Sequence, residues 1–216
     1  MKKIFSYNTD IKKNAYLNWR TEKHEPIHNL NTLADEYFQN AIFSIKECLN
    51  DNWDCKADSL IFPILFSINH AIELYEKALM WSINILLGYN STYTENHDIR
   101  GIWYTVKQKI KEFGFSYGRE KSSFENMIIP LEKYLSEIYQ NIMTDNLSEA
   151  YYNIDFSRYP TNINLENHFY INKCENVVID LENLLEVVLA LNDCLSRLSS
   201  TYYDLVVCSW QMKIEE

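Results

Sequence analysis

The sequence predicts an all-α protein, a bundle of about five helices with a small extended or β-hairpin insert before the last helix. Only four glycines and four prolines occur among 216 residues, too few for the many tight turns of an all-β fold. Hydrophobic residues make up 47% of the chain, which is enough for one core. They recur over most of the chain at the three-and-four spacing of amphipathic helices.

The first 28 residues are polar and contain Pro26. Residues 1–28 are therefore predicted to form an irregular arm, and residues 29–216 a single helical domain. The first helix should begin near Asn31 and end within the polar segment 50–54. Its apolar face consists of residues at helical spacing, namely Leu33, Tyr37, Phe38, Ala41, Ile45 and Leu49.

The second helix should be the central and most buried one, because it is apolar on nearly all sides. Asp58 or Ser59 can cap its start, and Pro63 suits a position in or near its first turn. The helix should continue to Leu87, where Gly88 stops it.

Two shorter helices should follow the second one. The third can be capped by Asp98 or Asn96 and should end near Gly114. The fourth lies within residues 122–143, where Pro130 should kink the helix or mark its true beginning.

The character of the chain changes between residues 150 and 179, which are rich in Tyr, Phe, Ile and Val. This composition favours short strands or an extended segment. The last helix should run from Asp180 to about Met212, since apolar residues keep one of its faces hydrophobic throughout.

The net charge of −10 disfavours binding to DNA or RNA outside a local basic patch. The five cysteines form no C-x-x-C pair, so we predict reduced thiols, no disulfide and no zinc site. The HEPIH segment places His24 and His28 four residues apart, but Pro26 argues against a helix there and no further ligand is indicated. We therefore expect neither a metal nor another cofactor.

The amino-terminal residues lack the apolar core of a signal peptide. The most apolar stretch, residues 59–88, carries charged residues near its middle, so no uninterrupted membrane span can be cut from it. These two features predict a cytoplasmic protein with no membrane partner.

Three polar residues share one face of the second helix, because His70, Glu73 and Lys77 are spaced i, i+3 and i+7. One interpretation is that this face reaches the bundle surface and that Glu73 and Lys77 form an i,i+4 ion pair. The other is that the face lines a groove, in which His70 and Lys77 would bind a substrate.

The segment ENHDIR lies between the second and third helices and can return its polar residues to the end of the bundle. A histidine beside an arginine suits acid–base chemistry on a phosphodiester, with the arginine holding the phosphate. His97 and Arg100 are therefore the candidate catalytic residues. Alternatively, Asp98 is only a helix cap and His97 only a loop residue.

The segment DFSRYP places Arg158 among aromatic residues and before Pro160, which favours an extended backbone. Arg158 is a third candidate substrate-binding residue, able to stack or to pair with a phosphate. In the structural alternative Tyr159 and Pro160 plug the end of the bundle, and Arg158 pairs with a local acid.

The stretches INHAIELYEKALMWSINILLG, NHDIR and SRYP, followed by a Leu-rich last helix, resemble the bacterial HEPN family over roughly residues 30–210. This resemblance implies a small helical bundle of the kind found in toxin–antitoxin and phage-defence systems. It also implies frequent homodimers and, in many members, a metal-independent endoribonuclease built from Arg and His.

The active members of the family carry an Arg and a His separated by four to six residues, and this chain does not. Arg20 comes nearest, with three residues between it and His24 and seven between it and His28. This departure favours a non-catalytic or divergent member. The resemblance leaves His97 and Arg100 as the carried-over site residues.

Two functional hypotheses follow. The first is a HEPN-like defence or toxin-type protein that acts on RNA through His97 and Arg100. The second is a non-catalytic helical module that dimerises or docks on a partner protein through exposed aromatic residues such as Trp103, Tyr104 and Tyr202. In both cases we expect a homodimer, because the apolar faces exceed what one small bundle covers.

Overall fold

The computed structural model describes residues 2–114, 121–143, 154–162 and 164–215 and confirms the predicted all-α bundle. Of the seven α-helices in the described residues, five are long and two, α4 and α6, are short. The helices are α1 (Pro26–Asn50), α2 (Lys56–Leu86), α3 (Ile99–Phe113), α4 (Lys121–Met127), α5 (Ile129–Met143), α6 (Phe169–Asn172) and α7 (Leu181–Glu215).

Helix α1 begins earlier than its apolar spacing predicts, at Pro26 rather than near Asn31. A proline is tolerated in the first turn because the N–H that it lacks has no partner within the helix there. His28 is consequently helical, and the expectation that Pro26 prevents a helix in HEPIH is wrong. Residues 2–25 precede the helix and contain no buried residue.

Helix α2 is the central helix, as predicted, and packs against α1, α3 and α7. Most of its residues between Ile64 and Asn84 are buried. It is the one described helix that is long and apolar enough to cross a membrane, but 56% of its most apolar window is buried inside the bundle, as in a core helix. It begins at Lys56, a little before the predicted caps Asp58 and Ser59, so Pro63 lies beyond its first turn.

The remaining long helices follow the predicted boundaries closely. Helix α3 begins directly after Asp98 and ends at Phe113, next to Gly114. The predicted fourth helix is two helices, α4 and α5, and Pro130 lies in the first turn of α5. Helix α7 follows Asp180, whose Oδ1 accepts hydrogen bonds from the backbone N–H of Glu182 at 2.9 Å and of Asn183 at 3.2 Å.

The predicted extended insert precedes α7. Its described part contains a 3₁₀ turn (Ile154–Ser157), one antiparallel β-bridge between Thr161 and Asn167, and the short helix α6. Residues 150–153 and residue 163 of the predicted segment lie outside the described residues. The aromatic side chains of the insert pack on the bundle, where Phe156 is buried and joins the core cluster.

The first and last helices close the bundle against each other. Ser199 of α7 donates a hydrogen bond to Asn31 Oδ1 of α1 at 2.7 Å, and Tyr203 donates one to Glu25 at 2.8 Å. Helix α7 also packs against α2 and α5. The apolar stripe predicted for α7 is therefore shared among three helices.

Candidate functional site

The polar face of α2 is organised around the carboxylate of Glu73, whose residue is only 5% exposed. One helical turn later, Lys77 donates a hydrogen bond from Nζ to Glu73 Oε1 at 2.7 Å. The predicted i,i+4 ion pair is therefore present. The interpretation that this pair lies at the bundle surface is wrong, because both side chains are buried.

The loop before α3 returns to α2, where His97 Nδ1 lies 2.9 Å from Glu73 Oε1. An ionised carboxylate can only accept hydrogen bonds, so the proton of this bond belongs to His97 Nδ1. The neutral ring then carries its lone pair on Nε2. The His97 side chain is 58% exposed, which leaves that nitrogen accessible from solvent.

The second histidine of the site faces the other oxygen of the same carboxylate. His70 Nδ1 lies 3.8 Å from Glu73 Oε2, a distance of an ion pair rather than of a hydrogen bond. Its ring is stacked on Phe66, with centroids 5.5 Å apart, and meets the edge of Tyr37 at 4.6 Å. These aromatic contacts hold the His70 ring in one orientation beside Glu73.

The ionisation of Glu73 follows from these neighbours. Burial would raise the pKa of its carboxyl group, but His70, Lys77 and His97 together outweigh burial and lower that pKa to about 2. Glu73 is therefore an anion at neutral pH. A buried anion that faces two histidines orients both rings.

Asp98 has a different role from the predicted cap. It precedes α3, but its side chain makes no capping hydrogen bond and instead accepts one from the hydroxyl of Tyr139 at 2.5 Å. A Cβ at Gly101 would lie 2.6 Å from Asp98 Oδ2, so the absence of a side chain at Gly101 leaves room for this carboxylate. Burial and the neighbouring Asp98 raise the pKa of Tyr139. Its hydroxyl group therefore keeps its proton and donates it in the hydrogen bond to Asp98.

The second candidate catalytic residue, Arg100, lies beside Tyr139. Its guanidinium carbon is 4.4 Å from the centroid of the Tyr139 ring. Arg100 also lines a groove of about 550 Å³ between α3 and α5, together with Trp103, Tyr104 and Lys107. The two candidate catalytic residues thus contact different groups, His97 on Glu73 and Arg100 on Tyr139.

The candidate substrate-binding residue Arg158 reaches the site from the insert. Its Nη1 lies 3.4 Å from Asp155, and its guanidinium carbon lies 5.6 Å from the centroid of the Phe66 ring. Phe66 also stacks on His70, so Arg158 and His70 contact the same aromatic ring. Both the pairing with a local acid and the aromatic stacking anticipated from the sequence are present.

Glu76 is a residue of the site that the sequence patterns did not predict. Glu76 is fully buried on α2, and neither of its side-chain oxygens has a hydrogen-bond partner. Burial, and then the negative charges of Glu73 and Asp98, raise its pKa well above the ordinary value of 4.5. A glutamate inside a continuous apolar run was the available clue.

Two of the aromatic residues predicted to form an exposed interaction surface are buried. Trp103 is 2% exposed and Tyr202 is 3% exposed, whereas Tyr104 is 62% exposed. The prediction was wrong for the first two because α3 and α7 turn those positions toward the core. Trp103 does reach a polar partner, since its indole Nε1 donates to Glu132 at 2.6 Å.

The structure therefore brings together His70, Lys77 and His97 around Glu73, with Arg158 behind Phe66 and Arg100 on Tyr139. Across the described part of the chain, no group of three or more His, Cys, Asp or Glu residues is placed to hold a metal ion. Comparison with protein-family models, with curated proteins and with solved structures finds no match for this chain.

Proposed function

We propose that this chain is a HEPN-like defence or toxin-type protein that cleaves RNA by acid–base chemistry at the Glu73 site. The motifs quoted above support the family, and the geometry of two histidines supports the chemistry. The observation that carries the proposal is that His97 Nδ1 and His70 Nδ1 lie 2.9 Å and 3.8 Å from the same buried carboxylate, that of Glu73. With Nδ1 of each ring facing Glu73, the proposal assigns the Nε2 atoms to the substrate.

The proposed reaction needs one proton acceptor and one proton donor. Neutral His97 takes the proton of a ribose 2′-hydroxyl at Nε2, and the 2′-oxygen attacks the adjacent phosphorus. The bond from phosphorus to the 5′-oxygen breaks, and protonated His70 delivers a proton to that oxygen. The products are a 2′,3′-cyclic phosphate and a 5′-hydroxyl, and the two histidines have exchanged protonation states.

Glu73 serves this reaction as a positioning residue. It fixes the tautomer of His97 and stabilises the imidazolium that forms there, as a carboxylate does for a catalytic histidine in other enzymes. Lys77 is buried, so its proposed role is to keep Glu73 ionised rather than to bind phosphate. Arg158 and Arg100 are the proposed phosphate-binding residues, since a guanidinium pairs well with phosphate oxygens.

The test is an RNA cleavage assay in EDTA with the full chain and its variants. We expect cleavage by the natural protein, and a loss of at least about 100-fold in His97→Ala, because a positioned acid–base group contributes a factor of this order. His70→Ala should show a similar loss. Treatment of the fragments with a kinase that phosphorylates 5′-hydroxyls should label them directly.

Arg197→Ala is the control, because Arg197 is an exposed basic residue of α7 that pairs with Asp193 and belongs to neither the Glu73 site nor the residues before α1. It should cleave as fast as the natural protein. Equal cleavage by His97→Ala, or cleavage only after a metal is added, would reject the proposal. The homodimer, the cytoplasmic location and a partner protein stay predictions that this assay does not address.

The non-catalytic module remains the alternative function. Tyr104 favours it, as an exposed aromatic residue in the groove between α3 and α5. If the natural protein leaves RNA intact, light scattering and Tyr104→Ala would test dimerisation through this groove instead.

A further inference from the structure

We infer that the amino-terminal arm, which consists of residues 2–25 because α1 begins at Pro26, binds single-stranded nucleic acid in a cleft between the arm and α1. This inference rests on the proposed function, because it names the element that would bring an RNA strand to the Glu73 site. The sequence patterns alone assign no site to the arm.

Charge separates the arm from the rest of the chain. Residues 2–25 contain six basic and three acidic residues, a net charge of +3. The other residues contain fourteen basic and twenty-seven acidic residues, a net charge of −13. A polyanion is therefore repelled by the body of the protein and attracted by the arm. Every basic residue of the arm is exposed, namely Lys2, Lys3, Lys12, Lys13, Arg20 and Lys23.

Exposed aromatic side chains alternate with these positive charges. Phe5 is 85% exposed, Tyr7 62%, Tyr16 47% and Trp19 80%. Proteins that bind single strands without sequence preference combine positive charge along the backbone with aromatic rings on which bases stack. The arm has both components and buries neither.

The cleft gives the proposed site a definite shape. The rings of Tyr16 and Trp19 are 6.1 Å apart between centroids and inclined at 47°. They face the first turns of α1 across a cleft of about 370 Å³, a volume within the usual range for small ligands. The rest of the lining is Leu17, Arg20, Thr21, Thr32, Leu33 and Glu36.

Arg20 supplies the positive charge inside this cleft. Its Nη1 lies 3.4 Å from Glu36 Oε1, and both side chains are largely exposed. A pair this exposed is weak, so a phosphate can compete with Glu36 for the guanidinium. A base stacked on Trp19 and a phosphate on Arg20 would then belong to the same nucleotide.

The cleft lies close to the Glu73 site along α1. Leu33 lines the cleft, and Tyr37, four residues later on the same face, contacts the ring of His70. Four residues advance a helix by about 6 Å. A strand held in the cleft could therefore extend along α1 to His70.

A membrane surface fits the arm less well than a nucleic acid. An amphipathic segment that lies on a membrane is a helix with one continuous apolar face. In residues 2–25 the regular structure is one 3₁₀ turn, Ile11–Lys13, and apolar and basic residues alternate along the sequence. Such alternation matches the repeating base and phosphate of a single strand.

The test measures binding separately from cleavage, by fluorescence anisotropy with the full-length His97→Ala protein. The probes are a labelled uridine oligomer, the matching DNA oligomer and an RNA duplex, and co-sedimentation with anionic lipid vesicles measures membrane binding separately. Trp19→Ala should weaken single-strand binding about tenfold, the order expected for loss of one stacked base. Lys12→Ala with Lys13→Ala should flatten the dependence of log affinity on log salt by about 1.4, or about 0.7 for each phosphate that a lysine no longer neutralises.

Trp53→Ala is the matched control, because Trp53 is 95% exposed but lies in the loop between α1 and α2. It should leave the affinity unchanged. Binding of single-stranded RNA or DNA that is weakened by Trp19→Ala supports the inference. A higher affinity for RNA or for DNA then shows which of the two is the ligand. Preference for the duplex, equal binding by Trp19→Ala, or binding only to anionic lipid vesicles would overturn it.

The two proposals can fail separately. If Trp19→Ala loses binding while the natural protein cleaves no RNA, the arm is a binding site and the proposed reaction is wrong. If RNA cleavage depends on His97 but neither cleavage nor binding changes in Trp19→Ala, the reaction stands and the arm is not the binding site.

Discussion

The middle of α2 carries two buried carboxyl groups three residues apart, and their surroundings shift their pKa values in opposite directions. Lys77 and two histidines surround Glu73 and lower its pKa to about 2. Glu76, in contrast, has no hydrogen-bond partner, and its pKa is raised well above 4.5. Burial disfavours the charged form of both groups, so the nearby donors decide which one ionises.

The largest effect on stability should come from removing the carboxylate of Glu73. Glu73→Ala leaves Lys77 buried without its carboxylate, and the free energy of unfolding should fall by about 3–5 kcal/mol. Urea denaturation at pH 7 measures this loss. Glu47→Ala is the matched control, since Glu47 pairs with Lys56 near the surface and its loss should cost about 1 kcal/mol or less. Equal losses in the two variants would contradict the central role of Glu73.

Acid should remove the stabilisation that Glu73 provides. Because its folded pKa is about 2 and its ordinary value is 4.5, the stabilisation is complete above pH 4.5 and is lost as the pH falls toward 2. The loss should reach about 3 kcal/mol over this range. Denaturation curves of the natural protein and of Glu73→Gln, which cannot titrate, should therefore converge in acid.

Glu76 should act in the opposite direction. The folded protein keeps the proton of Glu76 above pH 4.5, where the unfolded chain loses it, so stability falls as the pH rises toward the raised pKa. Glu76→Gln should abolish this loss, which amounts to at most about 1.4 kcal/mol for each pH unit. The variant should gain stability relative to the natural protein as the pH rises from 4.5 toward the raised pKa of Glu76. A constant difference across that range would show that Glu76 does not titrate as proposed.

The smallest effect should come from removing the hydroxyl group of Tyr139, which donates a hydrogen bond to Asp98 just before α3. Tyr139→Phe removes the hydrogen bond to Asp98, and the free energy of unfolding should fall by about 1.5 kcal/mol. Tyr104→Phe removes the hydroxyl of an exposed tyrosine of α3 and should change stability little. Thermal unfolding of the two variants side by side distinguishes the buried hydroxyl from the exposed one.

The helices and much of the polar cluster could be predicted from the sequence, because both depend on local spacing. Asp98 marks the start of α3, Pro130 lies at the start of α5, and Glu73 meets Lys77 at i+4, as the pattern indicated. The return of His97 to α2 was also anticipated, as one of two alternatives.

The depth of the site could not be predicted in this way. Whether Glu73 is buried depends on helices that pack around α2 from distant parts of the chain. The partner of Asp98 is Tyr139, forty-one residues away on another helix, and no local spacing connects the two. The exposure of Trp103 was misjudged for the same reason, since helical periodicity gives a face but not the element that covers it.

The pairing of α1 with α7 has a consequence for how the protein is made. Hydrogen bonds join residues 168 and 178 positions apart, and α2 packs against both helices. On the ribosome, α1 and α2 emerge early, but the apolar side of α2 that faces α7 has no cover until the last helix has been synthesised. Nascent chains stalled before residue 181 should therefore bind chaperones that recognise apolar segments, and chains stalled after α7 has left the ribosome should bind them less.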